Sequence, residues 1–393
     1  MISVAEAKKI ILKNIPTPGG RQLQLSQAAG LVLAADIYSS LDIPAFPQSS
    51  MDGYAFCFAD WQDNSPLMVN GEIPAGFGEA NALLKQQAIR IFTGAAVPPG
   101  ADTVVMQEKV SKSGNELLIL DEKITKGANV RAKGSEMNSG QLALASGSIL
   151  TPAAIGFLAG IGVTHVTVYP KPAITIIVTG KELQQPGQPL AYGQVYESNS
   201  ATLLAALEQL AISDVKVIHA DDDLGILTSI LGSAVGDSDI VLLTGGVSVG
   251  DYDFVLEASN LCGIDTLFHK IKQRPGKPLF FGRKEKKLVF GLPGNPSSVL
   301  TCFYQYVIPA LQEFSRRKNP VQIINVPSVS GYQKPSGLTH FLKAIYDGKT
   351  ISLLGAQESY RLSSFAQANC LVELEEDTVL VSAGDIVQIH LFP

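Results

Sequence analysis

The sequence predicts a multidomain α/β plus β protein: a central doubly wound α/β domain, an inserted β-rich module, a helical and extended N-terminal domain, and a small C-terminal β-barrel domain. Three observations predict it. Between residues 171 and 318, apolar strands alternate with helical segments at the spacing of a parallel, doubly wound sheet. Within that region the apolar run Ile240 to Leu243 leads straight into Thr244-Gly245-Gly246, and a helical stretch from Phe254 to Ser259 follows. From 321 to 393 only short strands occur, the pattern of a small all-β domain.

The elements follow in order. Residues 4–15 read as a helix with Ala5, Ile10, Ile11 and Ile15 on one face, and 25–34 as a second short element. Pro44 and Pro47 force an extended entry into Ser49-Ser50-Met51-Asp52-Gly53, which is turn chemistry. From 56 to about 140, β-runs at 89–92, 103–107, 117–120 and 130–132 are broken by Gly and Pro, which marks the inserted module. Residues 151–160 read as a helix with Pro152 in its first turn, and 166–168 as a strand. The α/β region runs strand 174–178, helix from Ser198-Asn199-Ser200 to Leu210, strand 215–219, helix 224–235, strand 240–243 and strand 267–271. Two β-runs, 278–281 and 287–290, bracket the charged turn 282–286 as a hairpin does. Gly291 to Ser298 opens a long apolar helix to about Phe314, and the charged, proline-ended 315–320 is a linker.

Composition narrows the class. The 393 residues suit two to four domains. With 46% apolar and 17% charged residues the chain is globular with large cores. A net charge of −6 offers no general basic surface for nucleic acid. Cys57, Cys262, Cys302 and Cys370 form no CxxC and no Cys/His cluster, which argues against zinc and fits a reducing compartment. The first 15 residues carry charges and no cleavable apolar core. The longest apolar stretch, 149–163, falls short of the roughly 20 residues that span a bilayer. The expectation is a soluble cytoplasmic protein with no membrane partner.

The candidate chemistry collects around the glycine turn. In an open α/β sheet such a turn lies at the carboxyl ends of the strands, where ligands bind. Gly245, Gly246 and Ser248 let backbone N–H groups close around an anion. Asp251 and Asp253 would repel that anion unless a metal ion sits between them, so the loop reads as a site for phosphate with Mg²⁺. Glu182 and Asp221 to Asp223 also follow apolar strands and share that edge; an acidic triplet before a helix is often only a cap. Oxygen ligands without His or Cys suit a hard cation. Opposite stand Lys270, Lys272, Arg274 and Lys277, of which the Arg-Pro-Gly-Lys turn holds two cations at fixed spacing for a tetrahedral oxyanion. Gly291 to Ser298, with Gly294, Asn295 and Ser297, resembles an anion nest without the Lys-Ser/Thr ending of a P-loop. Asp52 sits on an exposed loop, and Thr93 ends a strand, where a Thr is more often a cap. His219, His269 and His340 fall in or beside β-runs and read as packed or surface residues. The residues alone lead to a Mg²⁺-dependent transferase or hydrolase acting on a phosphorylated ligand.

The blocks PAFPQSSMDGYAF, RIFTGAAVPPGADTVVMQE, IVTGKEL, LLTGGVSVGDYD, RPGKP and GLPGNPSS occur in this order. Together they resemble the molybdopterin molybdenumtransferases, the MoeA and gephyrin E-domain family, over essentially the whole chain. GGVSVG and GLPGNPSS are shared with the molybdopterin adenylyltransferases, whereas the MDGYA and TGAAVP blocks separate the two. The resemblance implies four domains: an elongated N-terminal linking domain (1–44 and 141–170), the β-rich module (45–140), an α/β domain of the molybdopterin-binding type (171–318), and a C-terminal β domain (319–393). It also implies a homodimer whose active site lies between the α/β domain of one subunit and parts of the other. The reaction it implies is insertion of molybdate into adenylylated molybdopterin with Mg²⁺-dependent release of AMP. Molybdopterin adenylyltransferase and other proteins of the cofactor pathway would be its partners.

Carried over position by position, the functional residues are Asp52, Thr93, Glu182, Asp222, Asp253, Lys270, Arg274, Lys343 and Ser359, with an acidic position at Glu136. Glu182, Asp222 and Asp253 would hold Mg²⁺; Gly245, Gly246 and Ser248 would cradle the phosphates. Arg274, Lys343 and Ser359 would bind molybdate, while Lys277, Gly294, Asn295 and Ser297 complete the ligand contacts. Glu136 stands where Asp is usual, Arg274 where Lys is common and Lys343 where Arg is common, so charge survives while reach and fork geometry change. Two rival functions are pterin adenylyl transfer, which would consume ATP, and a non-catalytic, gephyrin-like scaffold or carrier, which would not require the acidic edge.

Overall fold

The computed structural model describes residues 1–61, 65–76, 81–247 and 254–393. The chain divides into two compact units, one of Met1–Arg21 with Tyr169–Pro393 and one of Gln22–Val168.

The first unit is built on a six-stranded sheet. Its order is Val215–Ala220, Ile174–Thr179, Ile240–Thr244, Lys287–Leu292, Phe280–Lys284, Asp265–His269. The first four strands are parallel. The last two run antiparallel to their neighbours, so the sheet is mixed and not wholly parallel as the alternation suggested. The hairpin is the reason. Lys284 pairs with Lys287 across two residues, and a parallel return needs a crossover of a dozen or more.

Ile174–Thr179 and Ile240–Thr244 are buried at every position, which is why they read as unbroken apolar runs. One face packs Ile176, Val178, Leu242 and Phe290 beneath the helix Asn199–Gln209 and the long helix that follows the last strand. The other packs Ile177, Val241, Leu243 and Val289 beneath Leu224–Asp237 and Val255–Leu261. Helices thus cover both faces. The N-terminal helix Val4–Asn14, started by a Ser3–Glu6 capping box, buries Val4, Ala7 and Ile11 in the first of these cores. The long helix is three pieces: Pro296–Cys302, a π-helical turn Phe303–Val307, and Ile308–Phe314. Pro309 has no N–H to give the Gln305 carbonyl, and the ladder widens just ahead of it.

The C-terminal strands form a ring. Thr339–Tyr346 pairs with Cys370–Leu374, that with Ile386–Leu391, and that with Gln322–Pro327. Ile351–Leu353 pairs back on Thr339–Tyr346, and a bridge from Ser328 to Ile351 closes the circle. Val326, Leu342, Ala344, Val372 and Ile389 fill the inside. The short strand Gln273–Arg274 leaves the α/β part and adds in parallel to Thr339–Tyr346.

The second unit holds another six-stranded sheet, ordered Thr103–Met106, Gly53–Phe56, Gln87–Ile91, Leu67–Ile73, Glu116–Ile119, Val110–Ser113. Beside it the helix Pro152–Gly160, capped by Thr151, packs Leu158 against Leu25, Leu33, Leu150 and Val166. The stretch 25–34 is not one element but a 3₁₀ turn, Leu25–Gln27, and a strand, Val32–Leu33.

A half-buried hydrogen-bonded cluster joins the N-terminal helix to the C-terminal ring. His390 Nε2 donates to Glu373 Oε2 at 2.7 Å, and Lys8 Nζ lies 3.4 Å from the same oxygen. Burial alone would raise the Glu373 carboxyl; the His390 hydrogen bond and the Lys8 charge outweigh it and hold the group below the usual glutamate value. A carboxylate so depressed adds stability that is present above its unfolded pKa and lost as pH falls through its folded one. Glu373→Gln should therefore cost about 1.5–3 kcal/mol at pH 7. The gap to wild type should close as pH falls below the ordinary value of 4.5. Urea melts at pH 7 and pH 3 check this, and a gap independent of pH would refute it.

Candidate active site

A cleft of about 1020 Å³ opens at the carboxyl ends of the four parallel strands. Thr179, Gly180 and Glu182 follow Ile174–Thr179; Asp222 follows Val215–Ala220; Gly245 and Gly246 follow Ile240–Thr244; Gly294 and Asn295 follow Lys287–Leu292. Arg274 and Lys277 line it from the Gln273–Arg274 side, and residues 357–360 line it from the C-terminal ring. A switch point lies between the adjacent strands Ile174–Thr179 and Ile240–Thr244, because the helix that follows the first covers one face of the sheet and the helix that follows the second covers the other.

The two glycines are required by geometry. Both have positive φ, 87° at Gly245 and 64° at Gly246. A Cβ on Gly245 would stand 2.7 Å from the Thr179 carbonyl oxygen and 2.9 Å from its hydroxyl. The turn is held from below by His269, whose Nε2 donates to the Val247 carbonyl at 2.8 Å. Ser248 and Asp253 lie outside the described residues.

The acidic triplet separates into different jobs. Asp223 caps the helix Leu224–Asp237, accepting from the Ile226 N–H at 2.9 Å. Asp222 lines the cleft and accepts from the Lys181 N–H at 3.0 Å, which ties it to the loop that carries Glu182. Of the triplet, one residue is a helix cap and its neighbour lines the cleft. Among the described residues no group of three His, Cys, Asp or Glu is gathered to hold a metal.

The cations are fixed by a residue that the sequence pattern did not single out. Gln273 is fully buried, and its Nε2 donates to the Pro275 and Gly276 carbonyls at 3.0 and 3.1 Å. Its Oε1 accepts from the Tyr306 hydroxyl. This braces the turn between Arg274 and Lys277, both exposed in the cleft. Arg274 pairs in register with His340, a buried imidazole pushed down to about 4 by burial and by the charges of Lys334 and Arg274. Lys270 has a positive φ of 85° and does not line the cleft.

Lys343 departs most from its expected role. It is 2% exposed, and its Nζ donates to the carbonyls of Ala356, Glu358 and Arg361 at 2.8, 3.4 and 3.1 Å. With its donors spent on backbone, it does not reach an anion in the cleft; it folds residues 356–361 around itself. Gln357 completes the brace by accepting from the Lys343 N–H and donating to its carbonyl, both at 2.9 Å. The loop so held delivers Ser359. The Asn295 Nδ2 donates to the Ser359 Oγ at 3.0 Å, and the Ser297 N–H donates to the Ser359 carbonyl at 3.1 Å. Ser297 is itself buried and off the cleft, while Ser298 lines it. Gln357, Glu358 and Tyr360 are cleft residues that no motif marked.

Asp52 and Thr93 meet in the second unit. The Thr93 N–H and hydroxyl both donate to Asp52 Oδ1 at 2.8 Å, and these bonds hold the carboxyl below its usual value. Arg90 stacks over Tyr54 and Phe92 beside them. Glu136 is exposed, its N–H given to the Ile43 carbonyl at 2.9 Å.

Comparison with known proteins bears on all of this. Residues 2–162 match the MoeA N-terminal region (domain I and II), 175–313 the probable molybdopterin binding domain, and 325–392 the MoeA C-terminal region (domain IV). The chain is 33% identical over 401 residues to a molybdopterin molybdenumtransferase of Haemophilus influenzae, covering 100% of this chain and 99% of that one. The chain belongs to the molybdopterin molybdenumtransferase family. Molybdopterin molybdenumtransferase 2 of Mycobacterium tuberculosis is likewise 33% identical, with 99% of each chain covered. The crystal structure of a molybdopterin biosynthesis moeA protein from Pyrococcus horikosii matches with a TM-score of 0.85 at 29% identity, over 100% of this chain and 99% of that one. In this family member the cleft draws on the second and third matched regions. Among the described residues no helix is long and apolar enough to cross a membrane.

The two cationic positions should separate in stability measurements. Lys343→Met leaves several carbonyls without their donor and should cost about 1–3 kcal/mol. Its thermal midpoint should fall, and residues 356–361 should open to chymotrypsin at Tyr360. Arg274→Ala should leave both readouts at wild-type values. An unchanged midpoint and a resistant loop in Lys343→Met would refute the bracing role.

Proposed function

We propose that this molybdopterin molybdenumtransferase family member inserts molybdate into adenylylated molybdopterin and releases AMP in a Mg²⁺-dependent reaction. The observation that carries the reading is one cleft lined by the carboxylates Glu182, Asp222 and Glu358, a two-glycine turn, two fixed cations and the Gly294–Asn295 helix entry. Carboxylates and cations gathered on one phosphate-sized nest suit a charged phosphoanhydride better than a neutral ligand.

The donor set of the cleft suits a hard cation. Glu182 and Asp222 offer oxygen only, and Mg²⁺ is commonly held by one or two carboxylates together with substrate phosphates. The residues present therefore fit Mg²⁺, with Asp253 as a third ligand from outside the described residues. When bound, the ion would offset charge on the phosphates. The Gly245–Gly246 turn cradles the pyrophosphate, its first N–H given to the Leu292 carbonyl at 3.3 Å. Arg274 and Lys277 hold the tetrahedral molybdate substrate against it, with Ser359 presented by the Lys343-braced loop. Fixed donors aimed at developing charge need no reorganisation as water attacks the phosphoanhydride to release AMP, and as the two dithiolene thiols take the molybdenum while a molybdate oxygen leaves with their protons as water. Asp52 and Thr93 act in the same reaction from a partner subunit of a homodimer. The protein works in the cytoplasm, downstream of molybdopterin adenylyltransferase.

The test is AMP release from adenylylated molybdopterin by the purified protein. Release should require both Mg²⁺ and molybdate, and Asp222→Asn and Asp253→Asn should each lower it on the order of 100-fold with the fold intact. Release without molybdate would indicate a hydrolase. ATP consumption would indicate adenylyl transfer, and tight binding without release a carrier or scaffold.

A further inference from the structure

The cleft has an apolar wall that the phosphate chemistry does not use. Leu183–Gln184 and Val195–Tyr196 form a two-stranded ladder, with Leu183 opposite Val195 and Gln184 opposite Tyr196. The Val195 N–H donates to the Glu182 carbonyl at 2.9 Å, so the wall is tied to a carboxylate already placed in the site. Between these strands the chain exposes large apolar groups within a few residues of one another. Leu190 is 44% exposed, Val195 52%, Tyr196 48%, and Tyr192 fully. Scattered exposed hydrophobics need no explanation, but a run of them beside a ligand cleft does. Val195 and Tyr196 line that cleft.

Two further details make the wall specific. The Tyr196 hydroxyl donates to the Gln188 carbonyl at 3.0 Å, which fixes the ring before any ligand arrives. Asn199 also lines the cleft and is 7% exposed; its Nδ2 donates to the Gly294 carbonyl at 2.9 Å, joining the wall to the anion nest. Its Oδ1 has no hydrogen-bond partner among the described residues. A buried acceptor without a donor is disfavoured and calls for one when the site is filled.

We propose that Val195, Tyr196 and Asn199 form a recognition wall for the planar, N–H-bearing heterocycle of the phosphorylated substrate. The ring stacks on Tyr196 and Val195, an N–H of the ring donates to Asn199 Oδ1, and the phosphates reach across to the nest. This rests on the reading of the cleft as a phosphoanhydride site. Purine and pterin share the required chemistry, and the choice of probe separates them.

The experiment is calorimetric binding of AMP, ribose 5-phosphate and 6-hydroxymethylpterin to the full chain and to its Tyr196→Ala and Tyr196→Phe variants. Loss of a stacking partner should weaken ring binding about 10-fold or more. If AMP binds that much tighter than ribose 5-phosphate, and the advantage vanishes in Tyr196→Ala but returns in Tyr196→Phe, the wall holds the purine. If only 6-hydroxymethylpterin shows this dependence, it holds the pterin. If neither ring compound binds, or Tyr196→Ala changes neither affinity, the proposal is overturned. Normal AMP release alongside that last result would remove the wall alone and leave the proposed function standing. Ring binding without AMP release would do the reverse.

Discussion

Gln273 sits where the α/β sheet gives way to the C-terminal ring, fully buried, with every polar atom of its amide engaged. Its backbone pairs with Thr339, and its side chain holds the Pro275 and Gly276 carbonyls on one side and the Tyr306 hydroxyl on the other. A buried amide satisfied in this way admits one arrangement, because each alternative leaves a donor or acceptor stranded. Arg274 and Lys277 owe their fixed spacing to it. So does the seat of the C-terminal ring, since the strand that begins at Thr339 carries Lys343, and Lys343 carries the loop that ends the cleft.

Two kinds of rigidity therefore meet in the cleft. On the sheet side it is steric: Gly245 packs so closely on Thr179 that no side chain fits, and its N–H is given to the Leu292 carbonyl at 3.3 Å. On the ring side it is electrostatic. The Lys343 ammonium, its pKa pulled down by burial, is wrapped by backbone carbonyls and gathers residues 356–361 into a single conformation. Ser359 then bonds with Asn295 and Ser297, so a residue of the third matched region is placed on a helix entry of the second. A lysine at this position supports the site from behind, a role that its charge alone did not reveal.

Much of the fold was legible because its causes are local. Ile174–Thr179 and Ile240–Thr244 announce themselves as buried parallel strands by unbroken apolar runs, and Pro152 marks a helix start by its place in the first turn. The charged turn at 282–286 already implied a hairpin, which the structure tightens to two residues, yet its effect on the sheet, two antiparallel strands at one edge, is a property of neighbours and not of the turn. The π-helical turn before Pro309 was missed because apolar periodicity in that helix continues without a break.

The sequence by itself determined the strands, the glycine turn, the acidic and basic groups at the strand ends and the family, because each is written in contiguous residues with a fixed local consequence. Only the tertiary structure decided which of those groups share the cleft. It separated Asp222, which faces the site, from Asp223, which caps a helix. It turned Lys343 inward, set Ser297 behind Ser298, and brought Gln273, Gln357, Tyr360 and Asn199 to the cleft or its frame. The physical reason is common to all of them. A polar side chain takes its direction from the partner that satisfies it, and several of these partners, Tyr306 for Gln273, Ser359 for Asn295, Gly294 for Asn199, lie tens of residues away along the chain.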